Sequence, residues 1–499
     1  MGTVTLKGLV MDNKEKSGYN NAGLFCELQG ATVEDLVFDS SCSFSGQSAG
    51  VLAVNVTGFL TVKNVKNQAN VNGNTKVGGF ISFVSGLQQG DFLLFENCSN
   101  EGYVTTGGWD VGGFIGLING NTNAIIEFVN CRNIESINGA VSVGGFVGAF
   151  WVNPASMVRV NNSTNDGNVN AEGADGRCGG LIGYYEQNYH LIITNFVNNG
   201  NVSGANRVGG LVGAVYTCNN AQFIIESSLN LGTVSGTRFA GGFIGYNMDH
   251  KLLNLTIVNS TNNGTVYSSG GCSGGFAGGI SRNTQMTLNI VNSTNNGIVD
   301  NSLNTVGGFI GIFYNNHNSS FTFSADVNHG LVQTRGNQAF GFTGGFVGYM
   351  HENDVHLVFK ECDNTAFVTG SSRVGGFFGE VFNNMYIDML LERCFNSGTI
   401  NGTERLGGFS GLFNNNQNLT IASNGCFNNG RVSGSSYVAG FIGDVLSASQ
   451  YWASVSLLNF QNNGTIQGTE EVQCGIFCVD CENYQGVTTT IRTASTRAV

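Results

Sequence analysis

Three groupings in this chain hold the residue types that do chemistry. His351-Glu352-Asn353-Asp354-Val355-His356 places imidazoles and carboxylates on one turn, the donor set of a transition-metal site. Cys474, Cys478 and Cys481 are spaced for zinc or for one disulfide, but no fourth ligand lies near them. Asp110, Asp249, Asp354 and Asp444 sit in or beside turns on separated stretches, so they do not form the paired carboxylates that glycoside hydrolysis requires. The histidine turn falls in a variable stretch, equivalent to Asn315-Asn316-His317 elsewhere, and reads first as an exposed polar turn. Glycine-rich blocks are frequent, yet none continues into Gly-Lys-Ser/Thr, and no calcium-binding nonapeptide occurs. The expectation is a chain with no catalytic residues, no cofactor and no metal, and not an enzyme.

The elements that would position any site are written in a repeat. A block of the form Val-Gly-Gly-Phe/Leu-Ile/Val-Gly starts at Val111, Val143, Val208 and Val306, its first four residues also at Val77, with variants at Cys178, Ala240, Ser273, Thr343, Val374, Leu406 and Val438. A fixed period of this size means stacked supersecondary units, each burying its core against its neighbours. The 75 glycines supply turns, and a single proline leaves backbone N–H groups free for ladders. In the unit around residues 241–278, the block is followed by Leu253-Asn254-Leu255-Thr256-Ile257, alternating at period two, and then by Thr265-Val266 between turns. The reading is an all-β parallel β-helix, a β-solenoid of about 14 coils of roughly 32 residues, with three strands per coil and right-handed winding. Residues 1–20 would form a cap or lead-in strand, 21–469 the repeats, and 470–499 a degenerate last coil and cap.

Stacking gives each position a ladder. One aromatic ladder runs through Phe114, Phe146, Phe243, Phe276, Phe309, Phe346, Phe377, Phe409 and Phe441. The next residue, as in Ile115, Val147 and Ile310, is apolar too, which predicts a strand covered on both faces. An asparagine recurs before the following turn, at Asn262, Asn295, Asn396 and Asn428 among others, where stacked amides would bond along the axis. Cys98, Cys131, Cys362, Cys394 and Cys426 share one register, as small buried residues or as disulfides between coils.

The net charge of −12 and the absence of any Lys/Arg run exclude nucleic acid as a partner. No apolar segment is long enough to span a bilayer, and residues 1–16 lack the apolar core of a signal peptide. Aromatic residues follow the block. Trp151, Tyr184, Tyr216 and Tyr314 are the candidates for surface contacts with sugar or protein, packing at the sheet edge being the other reading. Among many Asn-x-Ser/Thr sequons, Asn263 and Asn463 fall on the outward parity and are the candidate glycosylation sites.

Asn259-Ser260-Thr261-Asn262-Asn263-Gly264-Thr265-Val266, and Gly200-Asn201-Val202-Ser203-Gly204 followed by Val208-Gly209-Gly210-Leu211-Val212-Gly213, closely resemble the GLUG repeat family. The resemblance spans nearly the whole chain. It implies a secreted or cell-surface β-solenoid of adhesive or structural role, a fibre or filament subunit being one form of it, and it supplies no catalytic residues. Its partners would be a protein or glycan at a cell surface, or further copies of the chain end to end. The alternative from the residues alone is a carbohydrate-active β-helix enzyme, a lyase or hydrolase.

Overall fold

The structure is a computed structural model that describes residues 3–13, 20–336, 341–446 and 453–468, together with the strands at 474–475, 487–492 and 495–496. Among the described residues every regular element is a β-strand. The strands stack in parallel as a β-solenoid of about 14 turns with a repeat of about 32 residues. Two compact units are present, one of residues 1–237 with 243–246 and one of residues 238–242 with 247–499.

A typical coil resolves into five short strands where three were expected, although in two coils the second and third run together as Val147–Asn161 and Ile182–Thr194. In the coil that begins at Asp110 they are β1 (Asp110–Gly112), β2 (Ile115–Asn119), β3 (Ile125–Val129), β4 (Arg132–Asn133) and β5 (Ile137–Gly139). Each pairs in register with its equivalent one coil on: Val111 with Val143, Ile115 with Val147, Phe128 with Val160, Asn133 with Asn165 and Ile137 with Val169. The second unit repeats the plan, for example in Cys272–Gly274, Ala277–Ser281, Thr287–Val291, Thr294–Asn295 and Val299–Asn301.

The extra strands come from the block itself, which is not one strand. Val111-Gly112 ends β1, Gly113-Phe114 is a bend, and Ile115 begins β2. Phe114 and Ile115 are therefore both fully buried because the chain turns a corner between them. The expected covering layer is also internal to the block: a Cβ on Gly112 would lie 2.8 Å from the Gly148 nitrogen, and one on Gly116 would lie 2.7 Å from the Val77 nitrogen. Thus β1 of one coil lies backbone to backbone on the β2 strand of the next, an approach that only glycine permits.

Inside the coil, the bend phenylalanines stack. Phe114 and Phe146 have centroids 4.7 Å apart at 19°, and Phe309 and Phe346 are 4.8 Å apart at 9°. Offset stacking of this kind adds to the burial of each ring. Strand β3 and its equivalents alternate as expected, with Leu93 and Phe95, Leu255 and Ile257, and Leu357 and Phe359 all buried. Cys98, Cys131, Cys362, Cys394 and Cys426 are buried free thiols, so the small-residue reading holds at that register. The same register holds Asp326, whose buried carboxylate accepts the backbone N–H groups of Ser293 at 2.8 Å and Ser324 at 3.0 Å.

The predicted asparagine ladder forms within each unit. In the first unit Asn100, Asn133 and Asn165 each donate from Nδ2 to the Oδ1 of the next coil's asparagine, at 2.8–2.9 Å. In the second, Asn262 to Asn295, Asn295 to Asn328 and Asn396 to Asn428 do the same at 2.7–2.8 Å. All of them are buried. A second buried ladder stands at the turn between the β2 and β3 positions. It runs Asn121 to Asn153 to Asn188 in the first unit and Asn283 to Asn316 to Asn353 in the second. It was not foreseen, because the length of the variable turn before it masks the period.

Candidate functional site

On β2 and its equivalents, the fourth residue (Ile118, Phe150, Tyr185) points into the core, while the third and fifth point away from it. What the outward residues meet is the side chain that opens β1, just before the block. The two lie seven residues apart, brought together by the glycine bend. Lys76 sits 4.2 Å over the Phe83 ring, Arg177 sits 4.1 Å over Tyr184, and Phe342 stacks on Tyr349 at 4.3 Å and 8°. Arg373 pairs with Glu380 at 3.2 Å. These outward rows form a stripe of rings and guanidinium groups in each unit.

In the first unit the stripe holds Trp151, Tyr184, Glu186, Tyr216 and Tyr246, with Arg177 and Arg207 laid across the tyrosines. Trp151 is 47% exposed and pairs in register with Glu186, whose carboxylate accepts the Tyr184 hydroxyl at 2.5 Å. Tyr184 is half-buried, and Tyr216 lies 5.6 Å from it. Tyr216 is only 9% exposed, which fits packing at the sheet edge and not a surface contact. The cause is Arg207, 5.2 Å from its ring and 5.8 Å from that of Tyr246. Burial pushes the Tyr216 phenol up to about 12, and the two arginines pull against that rise. Further along the same continuous strand, Gln187, Asn188 and Tyr189, with Val152, Pro154 and Ala155 of the preceding coil and Thr217 and Asn219 of the following one, line an open cleft of about 310 Å³.

In the second unit five rings lie nearly parallel. His351 stacks on Phe382 at 5.1 Å and 6°, on Tyr349 at 5.5 Å and 9°, and on Tyr314 at 5.6 Å and 10°. Phe342 completes the set. Tyr314, as expected, is partly exposed. A cleft of about 320 Å³ adjoins them, lined by Asn315, His317, Glu352, Asn383, Met385 and Gln417. Amide, imidazole and carboxylate groups beside flat rings are a surface that recognises polar, ring-bearing ligands.

The other candidate residues are not brought into a site. His351 bonds to Glu352 at 3.2 Å, whereas His356 pairs with Asp388 at 2.9 Å on the next strand, so the histidine turn is divided. Among the described residues no group of three or more His, Cys, Asp or Glu side chains could hold a metal. Cys478 and Cys481 lie outside the described residues, and Cys474 only begins a short backbone strand. Asp249 pairs with Arg282 at 2.8 Å and Asp444 with Arg405 at 3.1 Å. Asp110 is pushed up to about 6 by burial. Asn263 and Asn463 are exposed at the coil corner, each bonded to the asparagine of an adjacent coil.

The arginines of the stripe were missed because each stands alone in the sequence. Their signal is the seven-residue pairing across the block, as in Arg177 with Tyr184 and Arg373 with Glu380. Fold and stripe together define a parallel β-solenoid with one chemically distinct outward face in each unit. No family model, no curated protein and no solved structure matches the chain.

Proposed function

We propose that this chain is a non-enzymatic binding solenoid of the adhesive type, acting at a cell surface or outside the cell, with glycan or protein as its partner. The observation that carries the reading is the outward stripe, where rings replace the small residues found at the same positions in other coils, as Tyr184 stands beside Ala149 and Ala214. The likeness of the repeat to the GLUG family supports it, as does the use of every buried amide ladder for structure and not for ligands. An enzyme acting on polysaccharide would need carboxylates free to move protons. The buried acids on this face, Glu380 and Asp444, are instead taken up by Arg373 and Arg405. Glycan-array and cell-binding assays with the full chain are the test, with Trp151→Ala and Tyr314→Ala as the variants expected to weaken binding. A blank array and no cell binding would overturn the reading, and turnover of a polysaccharide would replace it with the enzymatic one.

A further inference from the structure

Four arginines stand immediately before the block, in a β1-type strand, and they divide by what they meet. In the second unit, Arg373 and Arg405 each reach a buried carboxylate, Glu380 at 3.2 Å and Asp444 at 3.1 Å. In the first unit, Arg177 and Arg207 are direct register partners on neighbouring coils. Neither makes an ion pair among the described residues, and the Nε of each is buried without an acceptor. Their strands are about 4.8 Å apart, so two like charges stand side by side. Beside them the Tyr216 hydroxyl is buried and makes no hydrogen bond of ordinary geometry.

Among the described residues none of the carboxylates around the pair forms an ion pair with it, and only Asp110 feels the Arg177 charge, at a distance. Glu186 receives the Tyr184 hydroxyl, Asp175 accepts from Asn206 at 3.1 Å, and Asp110 lies two coils away beyond Ser142. Two neighbouring half-buried guanidinium groups, each with a buried Nε and no ion-pair partner among the described residues, repel one another, and their planar forks fit carboxylate and sulfate oxygens.

We infer that Arg177 and Arg207 bind an oxyanion, a carboxylate or a sulfate, carried on a saccharide that extends along the stripe toward Trp151 and the mixed polar and apolar cleft at Gln187. The inference rests on the reading of the stripe as a recognition surface. From Tyr184 to Gln187 the strand runs roughly 10 Å, enough for a short saccharide. The acidic chain as a whole repels anions, so the pair also selects where on it an anion can settle.

The test is calorimetric titration of the full chain with four probes: a hexuronic acid trisaccharide, its neutral methyl ester, a sulfated trisaccharide of the same length, and a glutamate hexapeptide. The carboxylate or the sulfate form is expected to bind about tenfold or more tighter than the ester, the better of the two naming the anion. The double variant Arg177→Gln/Arg207→Gln should lose that advantage while still binding the ester, and Trp151→Ala should weaken ester and acid alike. Equal affinity for acid and ester, or an advantage that survives the double variant, overturns the inference. Equal binding of the glutamate peptide overturns its saccharide part. If no saccharide binds, the underlying recognition reading fails. The oxyanion site is then judged by inorganic sulfate, which must raise the Tm of the wild type more than that of the double variant. That variant should fold, because it removes a like-charge pair.

Discussion

Asn133 Oδ1 lies 2.6 Å from the point where a Cβ on Gly113 would sit, and the Gly145 carbonyl oxygen lies 2.2 Å from it. The second glycine of the block and the ladder asparagine of the same coil are thus two halves of one contact. It recurs between Gly145 and Asn165, Gly275 and Asn295, and Gly376 and Asn396. The bend can form only where the corner amide has no methyl group to displace.

Gly113→Ala should therefore destabilise the protein by about 2–4 kcal/mol, since the opposing atoms are backbone and a bonded amide that cannot move aside. Gly107→Ala, with open space around the added methyl, is the control and should change little. Denaturant midpoints of the two variants check this. Similar values for both would refute the contact.

Asn165 accepts from Asn133 and donates to Asn198 and to the Gly167 carbonyl. Asn165→Ala leaves buried partners unmet on both sides, so a loss of about 2–4 kcal/mol is expected. The exposed Asn199→Ala loses only a surface bond to Asp166 and should cost under about 1 kcal/mol. Thermal unfolding of the pair measures the difference.

Asp110 supplies a pH test. Its native pKa of about 6 stands above its ordinary 3.8 because of burial, opposed by Ser142, Lys76 and Arg177. The native state binds the proton more tightly than the unfolded state does. This residue's contribution is thus most favourable below about pH 4 and is lost as pH rises toward 6. Asp110→Asn should then gain stability relative to wild type across that window. The gain reaches about 1–2 kcal/mol, less than the full shift implies because the side chain is partly exposed. A stability difference that is flat with pH would contradict the assignment.

Burial holds the Cys218 and Cys272 thiols up at about 12, while Cys26 is exposed. Native-state alkylation at pH 8, read by peptide mapping, should label Cys26 at least about a hundredfold faster than either. Comparable rates would mean that the coils open more readily than their packing implies.

Much of this was legible in the sequence. The period, the stacked phenylalanines and the asparagine ladder follow from recurrence, because in a solenoid equal positions in sequence become neighbours in space. The corner inside the block was not legible. Phe114 and Ile115 are adjacent apolar residues, and that pattern is the same for a strand covered on both sides as for a bend that turns both inward. The two readings of Tyr216 stayed open because its cover, Arg207, comes from another strand of the same coil. Arg177 and Tyr184 are joined through a bend whose geometry glycine leaves open, so only the folded backbone shows that they meet.

The asparagine ladders also carry a direction. Each inner amide donates toward the following coil, and its orientation is fixed because the same Nδ2 also bonds its own turn, as Asn165 does to Gly167. Along the exposed corner the sense reverses: Asn97 donates back to Asn64, Asn130 to Asn97, and Asn195 to Asn162. Aligned amide dipoles add as they do in a helix, and hydrogen-bonded chains polarise further. Within a unit, then, two buried rows point one way and a single exposed row, screened by water, points the other. The buried amides therefore give the stack a polarity along its repeat direction, to which every further coil adds.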